Sequence, residues 1–191
     1  MDLTLQGVAY GKGRSDCAPE QIDLLLSLIE ETQDVEGDIV EVGSWRCGAS
    51  IAMAAAVPER EVYAFDLFGG LPYGNGQGFE NFGDTSYVEI KIAASAYKNL
   101  HLVRGHHEHT VPHFAIGQMP LSLIFMDSDH YSSHKVSLEN LVPLLSSGGM
   151  IVFHDWTFAS VQRAVLEVIN PEEFTALQRP NMLHMGVLRK K

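Results

Sequence analysis

The chain has 191 residues, 46% hydrophobic and 19% charged, the balance of an ordinary globular protein with room for one sizeable core. Its net charge of −11 argues against a nucleic-acid partner, because polyanion binding draws on clustered lysine and arginine and only Arg189, Lys190 and Lys191 form such a run. No apolar run approaches the roughly 18 residues that span a bilayer, and the N-terminus lacks the pattern of a secretion signal. The expected protein is therefore one domain over residues 1–191, cytoplasmic, with no membrane association. Its two cysteines, Cys17 and Cys47, are too few for a disulfide scaffold and are expected to be reduced.

Residues 1–35 read as an N-terminal helical segment. Within it, residues 19–32 carry apolar positions at Ile22, Leu25, Leu26 and Ile29, the spacing of a helix with one buried face, and Pro19 suits its first turn. DIVEVG follows as a β-branched strand, then the loop GSWRCGAS at residues 43–50, then the alanine-rich helix SIAMAAAV. EVYAFD at 61–66 and LHLVRG at 100–105 repeat the strand pattern, with a helix over about 85–97 between them. Residues 68–86 hold six glycines and four aromatics, too long for an ordinary connection, and predict a lid in which Tyr73, Phe79 and Phe82 pack on an acceptor ring.

After the third strand, His106, His107, His109 and His113 lack the spacing of a metal site and predict a hydrated loop, with His106 or His107 near an adenine. LSLIFMD at 121–127 and GMIVFHD at 149–155 are continuously apolar, as in strands covered on both faces. Helices are predicted over 133–146 and 158–169, and EFTAL and HMGVLR suggest a closing hairpin. The whole pattern predicts a doubly wound, mostly parallel α/β sheet with a C-terminal antiparallel hairpin.

In such sheets ligands bind beyond the carboxyl ends of the strands. GSWRCGAS has the glycine spacing of a phosphate loop but Ala49 where the lysine belongs, and Trp45 where a dinucleotide loop needs glycine. Glu41, two residues before Gly43, suits a cationic ligand end and repels phosphate. Asp66 stands 23 residues past Gly43, near the usual distance for a carboxylate that accepts hydrogen bonds from ribose hydroxyls. A ribose and a cation without pyrophosphate describe S-adenosylmethionine.

Over about residues 36–156 the sequence resembles the class I S-adenosylmethionine-dependent methyltransferases. FDLFGGLP, MDSDHYSSH and GGMIVFHDW are similar to segments of the macrocin O-methyltransferase group, which methylates sugar hydroxyls of natural products, and the last two also to the cephalosporin hydroxylases. The resemblance implies cofactor contacts from Glu41, Gly43, Ser44, Gly48, Ser50, Asp66, Leu67, His106 and Asp127. It also implies a divalent metal, magnesium or manganese, on Asp127, His154 and Asp155, with Asp127 and Asp129 catalytic and Asp129 as general base. His154 departs from the acidic residue common in part of the group. Asp129 also stands where a helix cap would be, although Ser132 or Ser133 is better placed. His130 and His134 read as surface residues or supports behind the ligands.

The acceptor implied is a small hydroxylated molecule, and a homodimer is the family-level expectation. The chain is shorter than that group leads one to expect, leaving less material for an N-terminal substrate cap. A hydroxylase-like enzyme and a noncatalytic S-adenosylmethionine-binding protein are the alternative readings.

Overall fold

The computed structural model describes residues 3–69, 86–178 and 184–191. Helices α1 (Leu3–Lys12) and α2 (Pro19–Glu31) precede β1 (Asp38–Val42), α3 (Gly48–Ala56) and β2 (Val62–Asp66). Then come α4 (Tyr87–Ala94), β3 (Leu100–Arg104), α5 (His107–Ala115), β4 (Leu121–Met126) and α6 (Tyr131–Leu141). A 3-10 turn over Val142–Leu144 leads into β5 (Leu145–Phe153), followed by α7 (Ala159–Val168), β6 (Phe174–Ala176) and β7 (Gly186–Lys190).

The sheet order is β3-β2-β1-β4-β5-β7-β6. The first five strands are parallel, and β7 runs antiparallel to both β5 and β6. This is the Rossmann-like methyltransferase arrangement with its C-terminal antiparallel strands. The chain order reverses between β1 and β4, so their carboxyl ends open the crevice in which this class of sheet binds ligands.

Alternation along the strands sends side chains to two apolar layers. Ile39, Leu123, Phe125, Met150 and Val152 pack with Ile22, Leu25 and Leu28 of α2 and Ile51 and Met53 of α3. On the other face, Val40, Val42, Ile124, Met126, Ile151 and Phe153 meet Val111 of α5, Leu138 and Leu141 of α6, and Val161 and Ala164 of α7. Every β4 residue is buried, which is why LSLIFM shows no polar alternation. Burial of each large side chain contributes roughly 2 kcal/mol, and Phe125→Ala would cost about 3–5 kcal/mol.

The expected strands and helices are present, with four differences. Helix α6 ends at Leu141 and not at 146, its predicted last residues forming the 3-10 turn and the start of β5. β5 begins at Leu145, four residues before the most apolar stretch, and α4 spans only Tyr87–Ala94. The histidine-rich segment after β3 is a helix, α5, rather than a hydrated loop; His106 is its N-cap, and the helix accommodates Pro112. Of the expected lid, residues 70–85, including Tyr73, Phe79 and Phe82, lie outside the described residues. Among the described residues, no helix is long and apolar enough to cross a membrane.

Candidate active site

The loop after β1 is shaped by close backbone approach. Gly43 adopts φ +95°, and a Cβ there would fall 2.4 Å from the Asp127 carbonyl oxygen, so glycine lets the ends of β1 and β4 meet. The Asp127 N–H donates to the Val42 carbonyl at 2.8 Å and the His154 N–H to the Met126 carbonyl at 2.9 Å. The three strand ends are thus tied in a row. Beyond Gly43, Trp45 and Cys47 take left-handed backbone conformations at φ 44° and 59°, costly for non-glycine residues.

Asp66 braces this turn from the end of β2. One carboxylate oxygen accepts the Trp45 N–H at 3.0 Å and the other the Phe68 N–H at 2.8 Å. Each oxygen keeps a lone pair for a ligand hydroxyl.

Glu41 takes a different place from the one expected. It is 1% exposed, accepting hydrogen bonds from Ser44 Oγ at 2.8 Å and from Ser50 Oγ. Burial pushes its carboxyl up to about 8 despite the two hydroxyls, so near neutral pH it is a protonated post beneath the loop. Ser44, Gly48 and Ser50 are buried with it. None of these four residues lines the crevice; they support the wall instead of forming it. A Cβ on Gly48 would fall 2.2 Å from the Ser15 nitrogen, which shows how tightly the α1–α2 connection seats against α3.

The crevice encloses a cavity of about 320 Å³ among the described residues. Gly43, Trp45, Asp66, Leu67 and His106 line it from the ends of β1, β2 and β3, and Asp127, Ser128, Asp129, His154 and Asp155 from the ends of β4 and β5. Among the described residues, the remaining histidines do not gather into a ligand cluster. His107 bonds Ser133 Oγ at 2.5 Å and the Phe65 carbonyl at 3.3 Å, and burial lowers its pKa. His109 and His113 are exposed along α5. His134 is buried behind Phe153, its pKa lowered by burial to about 4, and His130 is the exposed N-cap of α6. Trp156 packs on Phe153, ring centroids 5.3 Å apart.

The acidic end of the cavity is compact. His154 Nδ1 lies 2.9 Å from Asp127 Oδ1 and 3.1 Å from Asp155 Oδ2. Its other nitrogen, Nε2, is 3.3 Å from Gln21 Oε1, which also accepts the Ala18 N–H at 2.7 Å. Burial alone would lower the imidazole's pKa; contact with Asp127 and Cys17 instead lifts it to about 11. His154 is therefore a cation between two carboxylates. Burial raises Asp127, partly offset by His154. Asp129 is exposed at the rim, where partial desolvation and the Asp155 charge raise its pKa; it caps no helix, since α6 starts from His130 without a side-chain capping bond.

One further group reaches this centre. The Cys17 thiol donates to Asp127 Oδ2 at 3.5 Å, and a Cys17 sulfur, an Asp127 oxygen and a His154 nitrogen all lie within 4.8 Å of one another. Cys17 and Gln21 stand more than a hundred residues from Asp127 and His154 in the chain, and no local spacing announces them.

The sheet order, the crevice at the β1/β4 reversal and the acidic strand ends are those of a methyltransferase fold. The chain belongs to the Macrocin-O-methyltransferase (TylF) family, whose profile matches residues 19–178. It is 30% identical over 158 residues to the 8-demethyl-8-(2,3-dimethoxy-alpha-L-rhamnosyl)-tetracenomycin-C 4'-O-methyltransferase of Streptomyces olivaceus, covering 69% of this chain and 57% of that protein. It is 30% identical over 145 residues to the demethyldecarbamoylnovobiocin O-methyltransferase of Streptomyces niveus, covering 64% and 54%. The chain thus spans little more than half the length of these curated relatives. The O-methyltransferase NovP superimposes with a TM-score of 0.78 at 21% identity over 93% of this chain and 82% of its own. The calicheamicin methyltransferase CalS11 does so at 0.75 and 22%, over 97% and 91%.

Proposed function

We propose that the protein transfers a methyl group from S-adenosylmethionine to a hydroxyl of a small sugar or natural-product acceptor, assisted by a divalent metal. The observation that carries this reading is the division of one cavity. Asp66 lines it from the end of β2, on one side of β1, with acceptor capacity for ribose hydroxyls, and Asp127, Asp129, His154 and Asp155 line it from beyond β4 and β5, on the other side. The family and its sugar- and antibiotic-modifying relatives support the acceptor class.

The residues fit both groups. Gly43 brings the ends of β1 and β4 together at the crevice, and the carboxylates favour a cationic sulfonium, which supplies an electrophilic methyl group. Asp127, His154 and Asp155 would hold the metal: the two carboxylates already flank one positive charge, the His154 imidazolium, and with that imidazole deprotonated the three present the nitrogen and oxygen donors that divalent ions take. A bound metal supplies a lowered hydroxyl pKa and a fixed orientation for the acceptor.

Asp129 performs the proton transfer. Its raised pKa keeps it an effective base at the rim. As the acceptor oxygen forms its bond to the methyl carbon and the carbon–sulfur bond breaks, the hydroxyl proton passes to Asp129. Gln21 fixes the His154 ring, and Asp66 with Trp45 fixes the loop.

The test is transfer of a labelled methyl group to a panel of deoxysugar glycosides with free hydroxyls, with and without chelator. Labelled methyl ether, formed only with divalent ion, supports the reading; no transfer to any hydroxylated acceptor contradicts it.

A further inference from the structure

We propose that Cys17 is a sulfur ligand to the metal centre, so that this chain favours a thiophilic divalent ion such as zinc, cobalt or iron over magnesium; the proposal rests on the metal reading above.

The geometry starts from the α1–α2 connection and the first turn of α2, which belong to no strand yet deliver two groups, Cys17 and Gln21, to the ends of β4 and β5. The Ser15 N–H bonds the Gly11 carbonyl at 3.1 Å, and the Cys17 N–H bonds Ser15 Oγ at 3.1 Å. This turn is pressed onto Gly48, where any side chain would collide with Ser15. Cys17 is therefore held in place at 3% exposure. Apolar packing explains its burial but not the direction of its thiol, which points at Asp127 Oδ2.

Four residues later in the same segment, Gln21 accepts from His154. Its Oε1 is identified as the oxygen because it also accepts the Ala18 N–H. The Nε2–H of His154 is thereby engaged, and Nδ1 faces Asp127 and Asp155. Metal-binding histidines are oriented this way, with the second nitrogen donating to a fixed acceptor. One turn thus supplies the thiol and sets the imidazole.

Sulfur, nitrogen and oxygen donors from three separate segments meet within 4.8 Å. Magnesium takes oxygen ligands and keeps its waters, whereas thiolate and imidazole suit zinc and its neighbours. On coordination the S–H bond gives way to a metal–sulfur bond and the proton leaves to solvent, as does the Nδ1 proton of His154. No change in oxidation state is involved.

The experiment is absorption spectroscopy of the reduced, chelator-treated full chain titrated with cobalt(II), for the wild type, Cys17→Ser and Cys47→Ala. A near-ultraviolet sulfur-to-cobalt charge-transfer band, saturating at one cobalt per chain, is expected in the wild type and Cys47→Ala and absent in Cys17→Ser. Zinc affinity in Cys17→Ser should fall on the order of tenfold or more, with magnesium affinity unchanged and S-adenosylhomocysteine binding retained as the check on folding. Visible cobalt bands without charge transfer in the wild type would overturn the proposal while leaving a metal site of nitrogen and oxygen donors. Failure of the wild type to take up cobalt would overturn this proposal and the metal reading together. If Cys17→Ser does not fold, loss of the band in Cys47→Ala would overturn the assignment and its persistence would support it.

Discussion

His154 and Asp127 form a partly buried contact of 2.9 Å between Nδ1 and Oδ1, with side-chain exposures of 15% and 18%. The imidazole, raised from 6.5 to about 11, binds its proton more tightly in the folded state than in the unfolded one. Its contribution to stability is therefore complete below about pH 6.5 and is lost as pH rises toward 11. In chelator, the difference in Tm between wild type and His154→Gln should be largest near pH 6.5 and shrink as the solution becomes alkaline. A difference that stays constant across that interval would mean His154 is not the stand-in cation.

Glu41 gives a second titration with a different origin. Burial raises its carboxyl from 4.5 to about 8, so the folded state loses stability as pH climbs from the lower value through the higher. Gln at this position keeps the shape and an acceptor for Ser44 or Ser50 without acquiring charge. Glu41→Gln should match the wild type near pH 5 and exceed it above pH 8, by an amount on the order of a few kcal/mol. Equal denaturation curves at pH 9 would remove the buried post from the account.

Asp129→Asn should separate chemistry from binding. Loss of the base is expected to lower kcat by roughly 10²- to 10⁴-fold, while the affinity for S-adenosylhomocysteine changes by no more than about twofold. Steady-state kinetics beside a binding titration would show this. A variant that weakens cofactor binding and leaves kcat intact would assign Asp129 to the cofactor instead.

Much of this arrangement was legible in the sequence because the parallel strands are short, apolar and evenly spaced, and because the doubly wound topology fixes where their ends lie. Asp66, Asp127 and Asp155 are placed by those strand ends. Helix α5 was harder to see: Val111 is its one buried residue, Pro112 sits inside it, and its histidines look like loop composition. Helix α1 contacts α3 through Gly7 and Gly11, where added Cβ atoms would meet Ala55 and Ala52, so its packing leaves a weak apolar period. Glu41 reads from the sequence as an acid facing a cationic ligand, and its burial beneath the loop was not legible, since the serines that hold it are themselves residues of that loop and helix. Cys17 and Gln21 reach the centre only through tertiary packing.

The most direct measurement is calorimetric titration of S-adenosylmethionine into the wild type and Asp66→Ala, first in chelator and then with added divalent ion. The account predicts binding that survives chelation and weakens by about 10- to 100-fold in Asp66→Ala, the cost of a hydrogen-bonding carboxylate. Equal affinity in both proteins, or no binding to the wild type under either condition, would contradict the assignment of this crevice to the methyl donor.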